Sequence, residues 1–194
     1  MKNLFKLNSS KVPNRQNKNI FWVQLQHKHN LRGLSIGFAY CRPGPPEETT
    51  RFYNCLSQDI SKFSKVGDVA VFGDLNSRLG SILGDKSRNS SACYLENLLE
   101  FHNLTILNKR FAFGIPTYCF PHENGNRTSI IDLGLTSRNL RTVDFQVHED
   151  ILGTTPHSSH RAVSCKLNFS NIPKPAMNKN QPYLLKFRDL SEIS

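Results

Sequence analysis

Apolar positions along this chain recur with two periods, and the changes between them mark its elements. Phe21-Trp22-Val23-Gln24-Leu25 and Leu34 to Tyr40 alternate in period 2 and, joined by His27 to Gly33, predict a hairpin. From Glu48 to Lys65 the period becomes helical, with Phe52, Leu56, Ile60 and Phe63 on one stripe, lysines in the last turn and Gly67 just beyond. That stripe is core. Glu47, after Pro45-Pro46, falls at the start of the same helix, where a carboxylate favours the helix dipole. Val69-Ala70-Val71-Phe72 then reads as a buried strand ending abruptly in Gly73-Asp74-Leu75-Asn76, and Ser129 to Leu135 reads as a second apolar strand with one acid, Asp132, in its middle. Arg161 to Phe169 alternates again, with Val163, Cys165, Leu167 and Phe169 on one face.

The polar residues at strand ends are the candidate chemistry. Period-2 geometry sends Asp74 and Asn76 to one face, so a carboxylate and a carboxamide can converge on one small ligand. The bland alternative is an Asx-turn closing the strand. Asp132, in an apolar strand, needs a cation, a histidine or a metal, because an unpaired buried carboxylate costs several kcal/mol, roughly. His160, in Ser158-Ser159-His160-Arg161, sits at a strand mouth. It is either a satisfied surface or core histidine or, near a carboxylate, a general acid or phosphate-polarising cation.

The order Gly73-Asp74-Leu75-Asn76, Pro116-Thr117-Tyr118, Ser129-Ile130-Ile131-Asp132-Leu133, Ser159-His160-Arg161 resembles the endonuclease/exonuclease/phosphatase superfamily, and most of all the endonuclease domain of non-LTR retrotransposons. Upstream, Gly37-Phe38-Ala39-Tyr40-Cys41-Arg42-Pro43 resembles that family's strand ending in a tyrosine and a following proline. Ser91 to Leu95 and Leu104 to Asn108 look like its helix and next strand. The resemblance runs from about Phe21 to Phe169 and implies an α+β fold, a partial two-layer β-sandwich with flanking helices. It also implies metal-assisted phosphodiester cleavage. On that resemblance Asp74 would orient or deprotonate the attacking water and hold the metal, Asn76 would hold the water or a phosphate oxygen, and Tyr40 would contact the phosphate or leaving group. Asp132 would pair with His160, keeping the imidazole cationic and aimed at a non-bridging oxygen. Thr117 would be a phosphate or strand contact, and Arg42, Ser129 and Arg161 complete the phosphate-binding set. Mg²⁺ or Mn²⁺ is the implied ion.

Two departures limit the expected activity. The family's last motif is Ser-Asp-His, whereas Ser159 here puts a hydroxyl in the place of that carboxylate. The family also carries an Asn strand and a metal-binding Glu upstream of the tyrosine, and residues 1 to 46 contain no Asp or Glu. The expectation is the carboxyl-terminal part of an endonuclease domain over 20–170, lacking the first strands and impaired in catalysis. A basic, disordered lead-in would precede it over 1–19, and a Pro-containing linker of the kind leading to a reverse transcriptase would follow over 171–194. The alternatives are a non-catalytic retroelement remnant that binds nucleic acid, or a phosphatase-type member of the superfamily.

Charge supports a nucleic-acid partner. Residues 1 to 46 hold eight Lys/Arg and supply +8 of the net +10 over 194 residues, an electrostatic footprint for polyanions, DNA first among them. A solvated tail is the alternative. Phe21 and Trp22 are expected in the core. At 38% hydrophobic residues the chain can build one, and it contains no apolar run long enough for a signal peptide or membrane span. Five cysteines without a C-x-x-C read as reduced and mostly buried residues of an intracellular protein, nuclear by resemblance.

Overall fold

The two faces of strand β4 organise the molecule. In this computed structural model, which describes residues 5–8, 19–27, 33–121, 123, 125–149 and 159–168, β4 (Gly67–Asp74) lies inside a six-stranded sheet. Its neighbours are β3 (Gly33–Ala39), parallel to it, and β8 (Asp132–Ser137), antiparallel. Beyond β3 come β2 (Ile20–His27) and β1 (Phe5–Asn8), and beyond β8 comes β5 (Leu104–Ile106). Val69 and Val71 belong to the larger core cluster, while Ala70 and Phe72 pack with clusters on the opposite face. Burial on both faces is why β4 reads as an unbroken apolar run rather than an alternation.

One layer is helical. α1 (Pro46–Ser64) buries Phe52, Leu56, Ile60 and Phe63, and also Tyr53 and Cys55, with Glu47 and Glu48 in its first turn. It shares a core cluster with Leu95 and Leu98 of α2 (Ala92–Phe101) and with Trp22, Ala39, Leu133 and Leu135 of the sheet. On the other face lies a two-stranded antiparallel sheet, β9 (Arg141–His148) and β10 (Ala162–Asn168), with Phe145 fully buried near Phe72, Leu107, Val163 and Cys165. A short hairpin, β6 (Tyr118–Phe120) and β7 (Arg127–Ser129), stands apart from both sheets. The architecture is therefore an α+β sandwich whose second sheet has two strands among the described residues.

Several expectations change. β2 and β3 do pair as a hairpin, Trp22 opposite Gly37, and Trp22 is buried. Phe21, expected in the core, is 44% exposed and stacks on Phe38 across the strands, because it falls on the sheet face that β9 and β10 do not cover there. Leu107 and Asn108, expected to continue a strand, open the short helix α3 (Leu107–Phe111). The run Ser129 to Leu135 is two strands rather than one: β7 ends at Ser129 and β8 begins at Asp132, since Thr117 and Leu75 take the intervening backbone groups described below. Within the expected disordered lead-in, Phe5–Asn8 pairs with β2, its Phe-Lys-Leu alternation matching the period of a strand. The rest of 1–18 and all of 169–194, including Phe169 and the linker, lie outside the described residues. All five cysteines are free; Cys41 and Cys55 are buried and Cys93 is exposed. No described helix is long and apolar enough to cross a membrane.

Candidate active site

Three strands deliver the candidate residues to one end of the sheet. β3 and β4 are parallel, so Tyr40 and Asp74 leave the sheet side by side, and β8 begins there with Asp132 directly opposite Asp74. Gly73 allows β3 and β4 to come this close: its φ is +145°, and a Cβ there would fall 1.9 Å from the Ala39 carbonyl oxygen.

Asp74 and Asn76 converge through a turn rather than through strand periodicity. β4 stops at Asp74, and Asn76 takes a left-handed conformation (φ +46°) that asparagine tolerates. Its backbone N–H donates to Asp74 Oδ1 (3.0 Å) and its Nδ2 donates to Asp74 Oδ2 (3.1 Å) and to the Cys41 carbonyl (2.7 Å). The Asx-turn and the convergence on Asp74 are thus one structure, and both amide hydrogens of Asn76 are spent on it. What the Asn76 amide still offers a water is its carbonyl oxygen. The surrounding backbone is fastened on all sides. Cys41 N–H donates to the Asp74 carbonyl (2.8 Å), Leu75 N–H to the Ile131 carbonyl (3.0 Å), and the buried Tyr53 hydroxyl to the Leu75 carbonyl (3.0 Å). Asn89 and Ser91 side chains each donate to the Asn76 carbonyl at 2.7 Å.

Asp132 meets His160. The imidazole Nδ1–H donates to the Asp132 carboxylate at 3.0 and 3.1 Å, which fixes the ring's tautomer and orientation. Tyr118 holds the ring from a second side, with its own ring edge-on at 4.8 Å and its backbone bridged to His160. The motif Pro116-Thr117-Tyr118 carries Tyr118, but nothing in its sequence context assigns it a place at the site. The backbone of Asp132 is pinned from both sides. Thr117, fully buried, accepts the N–H groups of Ile131 (3.0 Å) and Asp132 (2.9 Å) on its hydroxyl. Asn108, also fully buried, donates to the Asp132 carbonyl (3.0 Å) and accepts the Gly134 N–H (3.0 Å). Thr117 is therefore a strand contact with no surface to offer a phosphate, and Asn108 is a site residue that looked like the end of a strand.

The remaining candidates fall differently. Tyr40 is 45% exposed just past β3, and Arg42 is exposed beside it. Arg161 is tied down: Nη1 donates to the Pro116 carbonyl (3.1 Å) and lies 3.5 Å from Glu149, while its backbone N–H donates to the Thr117 carbonyl (2.7 Å). Ser129 is buried, and its carbonyl accepts the Thr117 N–H (3.0 Å). Neither Ser129 nor Arg161 stands open to a phosphate as Tyr40 and Arg42 do. Ser159 is half-buried and accepts the Cys119 N–H on its carbonyl (2.7 Å); Ser158 lies outside the described residues. Of the eight basic residues before Glu47, only Arg42 has a described side chain.

Asp74, Asp132 and His160 each place a ligand atom within 4.8 Å of the others, a set able to hold a metal ion. Burial pushes the Asp74 carboxyl up to about 6; the facing Asp132 carboxylate pushes the same way, and the Asn76 hydrogen bonds and His160 oppose it. Two half-buried carboxylates face to face are the electrostatic problem that a divalent cation resolves, and their hard oxygens suit Mg²⁺ or Mn²⁺. A second charged knot supports the loop after Asn76. Arg78 clasps the buried Asp85 through two bonds (2.7 and 3.1 Å), and Asp85 also accepts the Ile130 N–H (3.1 Å), tying the loop to the segment entering β8. Asp85 carried no signal in the sequence beyond a loop acid.

The chain is similar to a known family and, in fold, to several solved structures. The family described as "Endonuclease-reverse transcriptase" matches residues 34–164. Among solved structures, the endonuclease domain of TRAS1, a telomere-specific non-LTR retrotransposon, is similar over 86% of this chain and 70% of that one, with a TM-score of 0.69 and 18% identity. The 3′–5′ exonuclease NExo from Neisseria meningitidis follows at TM-score 0.57 and 16% identity over 85% and 70%. A mannosyl-6-phosphatase from Bacteroides thetaiotaomicron has TM-score 0.56 and 14% identity over 77% and 57%. No curated protein matches the chain.

Proposed function

We propose that this chain, which belongs to the endonuclease-reverse transcriptase family of the endonuclease/exonuclease/phosphatase superfamily, hydrolyses phosphodiester bonds in DNA with the help of a divalent cation. The observation that carries the reading is the convergence of Asp74, Asn76, Asp132 and His160 at one end of the sheet, in two hydrogen-bonded pairs. Ionised Asp74 takes the proton of the attacking water, which the Asn76 carbonyl oxygen helps to orient. His160, aligned by Asp132 and Tyr118, donates to the phosphoryl oxygen on which charge develops. Tyr40 and Arg42 flank the leaving group and the adjoining phosphate. Asp74, with Asp132 behind it, would hold Mg²⁺ or Mn²⁺, and the ion when bound supplies Lewis-acid polarisation of a phosphoryl oxygen.

The donor set also sets the expected rate. With His160 committed to Asp132 and the phosphoryl oxygen, two carboxylates bind a divalent ion weakly, and Ser159 withholds a further charge, so turnover is reduced rather than typical of the family. The family's description joins the endonuclease to a reverse transcriptase, and on this reading such a domain would be the partner within a longer polyprotein acting in the nucleus. The test is nicking of supercoiled plasmid with Mg²⁺ and with EDTA, beside Asp74→Asn. Metal-dependent nicking that the variant loses supports the proposal. Folded protein that never nicks leaves a DNA-binding remnant, and turnover of phosphomonoesters without nicking would favour the phosphatase alternative, toward which the mannosyl-6-phosphatase fold points.

A further inference from the structure

Two adjoining loops near the site expose apolar side chains that the hydrolytic chemistry does not use. The residue after the turn Gly80–Ile82 is tied backbone to backbone to the segment 112–116, which carries a turn of its own. Gly114 N–H donates to the Leu83 carbonyl (2.8 Å), and Ile115 N–H donates to the Ala112 carbonyl (3.1 Å). Gly84 and Gly114 both sit at positive φ (+78° and +74°), and a Cβ on Gly84 would lie 2.8 Å from the Gly114 Cα. This stiff support leaves Ile82, Phe113 and Ile115 exposed at 36%, 60% and 39%. Loop tips are ordinarily polar, so three apolar side chains on a rigid base call for an occupant.

The loops are fixed with respect to the reacting groups. Ile115 is two residues from Thr117, a separation of at most about 7 Å along the chain, and Thr117 accepts the Asp132 N–H. Arg161, next to His160, holds the Pro116 carbonyl, and Asp85, next to Gly84, holds the Ile130 N–H. Their borders are cationic: Lys109 and Arg110 are exposed in the helix turn leading into one loop, and Lys86 is exposed beyond the other. Residues 109 to 116 include no acid, and the charge of Asp85 is taken by Arg78.

Apolar side chains between cations fit a polyanion with apolar edges. Three side chains are too few for a stable protein interface, which buries roughly 800 Å² on each partner. A nucleic-acid groove, by contrast, is entered by single apolar side chains wedged against sugars and bases. We propose that Ile82, Phe113 and Ile115 are a substrate-gripping wedge that lies against the nucleotides flanking the scissile phosphate of duplex DNA, while Lys109 and Arg110 take neighbouring phosphates. The inference rests on the phosphodiesterase reading for its substrate.

The experiment pairs Phe113→Ser/Ile115→Ser with wild type in three assays: anisotropy on a fluorescein-labelled DNA duplex in EDTA, plasmid nicking with Mg²⁺, and hydrolysis of bis(p-nitrophenyl) phosphate. The wedge weakens duplex affinity by about tenfold or more in the variant and raises KM for plasmid, with the rate on the small ester and the melting temperature unchanged. Duplex affinity within about twofold of wild type, or wild type that does not bind the duplex, overturns it. Wild type inert toward both plasmid and the small ester would instead refute the catalytic reading, and the anisotropy still decides the wedge. Lys109→Ala/Arg110→Ala should lower the salt dependence of binding; an unaltered salt slope overturns the phosphate contacts.

Discussion

Asp74 and Asp132 face one another as a directly opposed pair on neighbouring antiparallel strands. Like charges in that position repel, and each carboxylate has its own answer: Asp132 aligns a histidine, and Asp74 is wrapped by Asn76. The pair is where the sheet's register becomes chemistry, because a slip of one residue between β4 and β8 would turn one acid to the opposite face.

Asp74 makes activity depend on pH in a stated direction. Its carboxyl, pushed up to about 6 chiefly by burial, must be ionised to act as a base, so kcat/KM for nicking should rise as pH passes through about 6. Stability should move the other way. The folded state holds this proton more tightly than the unfolded chain, so the contribution is fully present below the ordinary carboxylate range and is lost as pH rises through about 6. Asp74→Asn removes that loss, and the variant's melting temperature should gain on wild type between pH 4 and pH 7, approximately. A constant difference across that window would show that Asp74 is not perturbed. Raising Mn²⁺ from subsaturating to saturating should shift the wild-type activity midpoint to lower pH, since a bound cation favours the carboxylate.

Asn108 and Thr117 should behave as positioning residues. Thr117→Val keeps the shape but orphans the N–H groups of Ile131 and Asp132, and Asn108→Leu orphans the Asp132 carbonyl and Gly134 N–H. Each should cost about 2–6 kcal/mol in urea unfolding, from about 1–3 kcal/mol for each of the two groups left without a partner. Each should also lower kcat more than it raises KM. Thr117→Ser, which keeps the oxygen, should recover most of both; no recovery would mean that the methyl packing mattered and the hydroxyl did not.

Asn108 and Asp85 show where legibility ended. Asp74, Asn76 and His160 could be picked out at strand ends and Asp132 inside an apolar run, places where a polar side chain lacks a packing reason. α1 was legible because its stripe repeats over 19 residues. Asn108 and Asp85 gave no such signal: their partners lie 24 and 45 residues away and are backbone groups, which every residue carries. The break in the run Ser129 to Leu135 was hidden for the same reason, since Thr117 Oγ1 and Leu75 N–H end the pairing from outside the strand. Local pattern named the candidate groups, and the contacts that orient them are non-local.

The Arg78–Asp85 clasp should set the acid limit of folding around the site. Burial pushes the Asp85 carboxyl up, but the Arg78 guanidinium and the Ile130 and Ser87 N–H groups outweigh it and hold it below the usual carboxylate range. That contribution is present above the ordinary carboxylate range and is lost as pH falls through the depressed value. Arg78→Met would strand an almost fully buried charge and should cost about 3 kcal/mol at neutral pH, and less near pH 3, approximately, where the carboxyl is protonated. Urea titrations at the two pH values decide it: an equal loss at both would assign the cost to packing of the arginine stem.

Ser159→Asp is the substitution that separates an impaired metal site from an absent one. Position 159 directly precedes His160, and its backbone is fixed by the Cys119 N–H at 2.7 Å, so a carboxylate introduced there starts from a defined place next in the chain to the histidine that Asp132 holds. Without metal, a third negative charge at this end of the sheet should raise Asp74 further and lower the melting temperature at neutral pH. With metal the sign reverses, since the added oxygen ligand offsets repulsion that the ion neutralises; Mn²⁺ affinity by calorimetry should tighten by about tenfold, with faster nicking. Ser159→Asn, equal in size and uncharged, should do neither. If Asp and Asn variants bind Mn²⁺ alike, residue 159 does not face the cluster, and the low charge of the site must be remedied from elsewhere in the chain or from a partner.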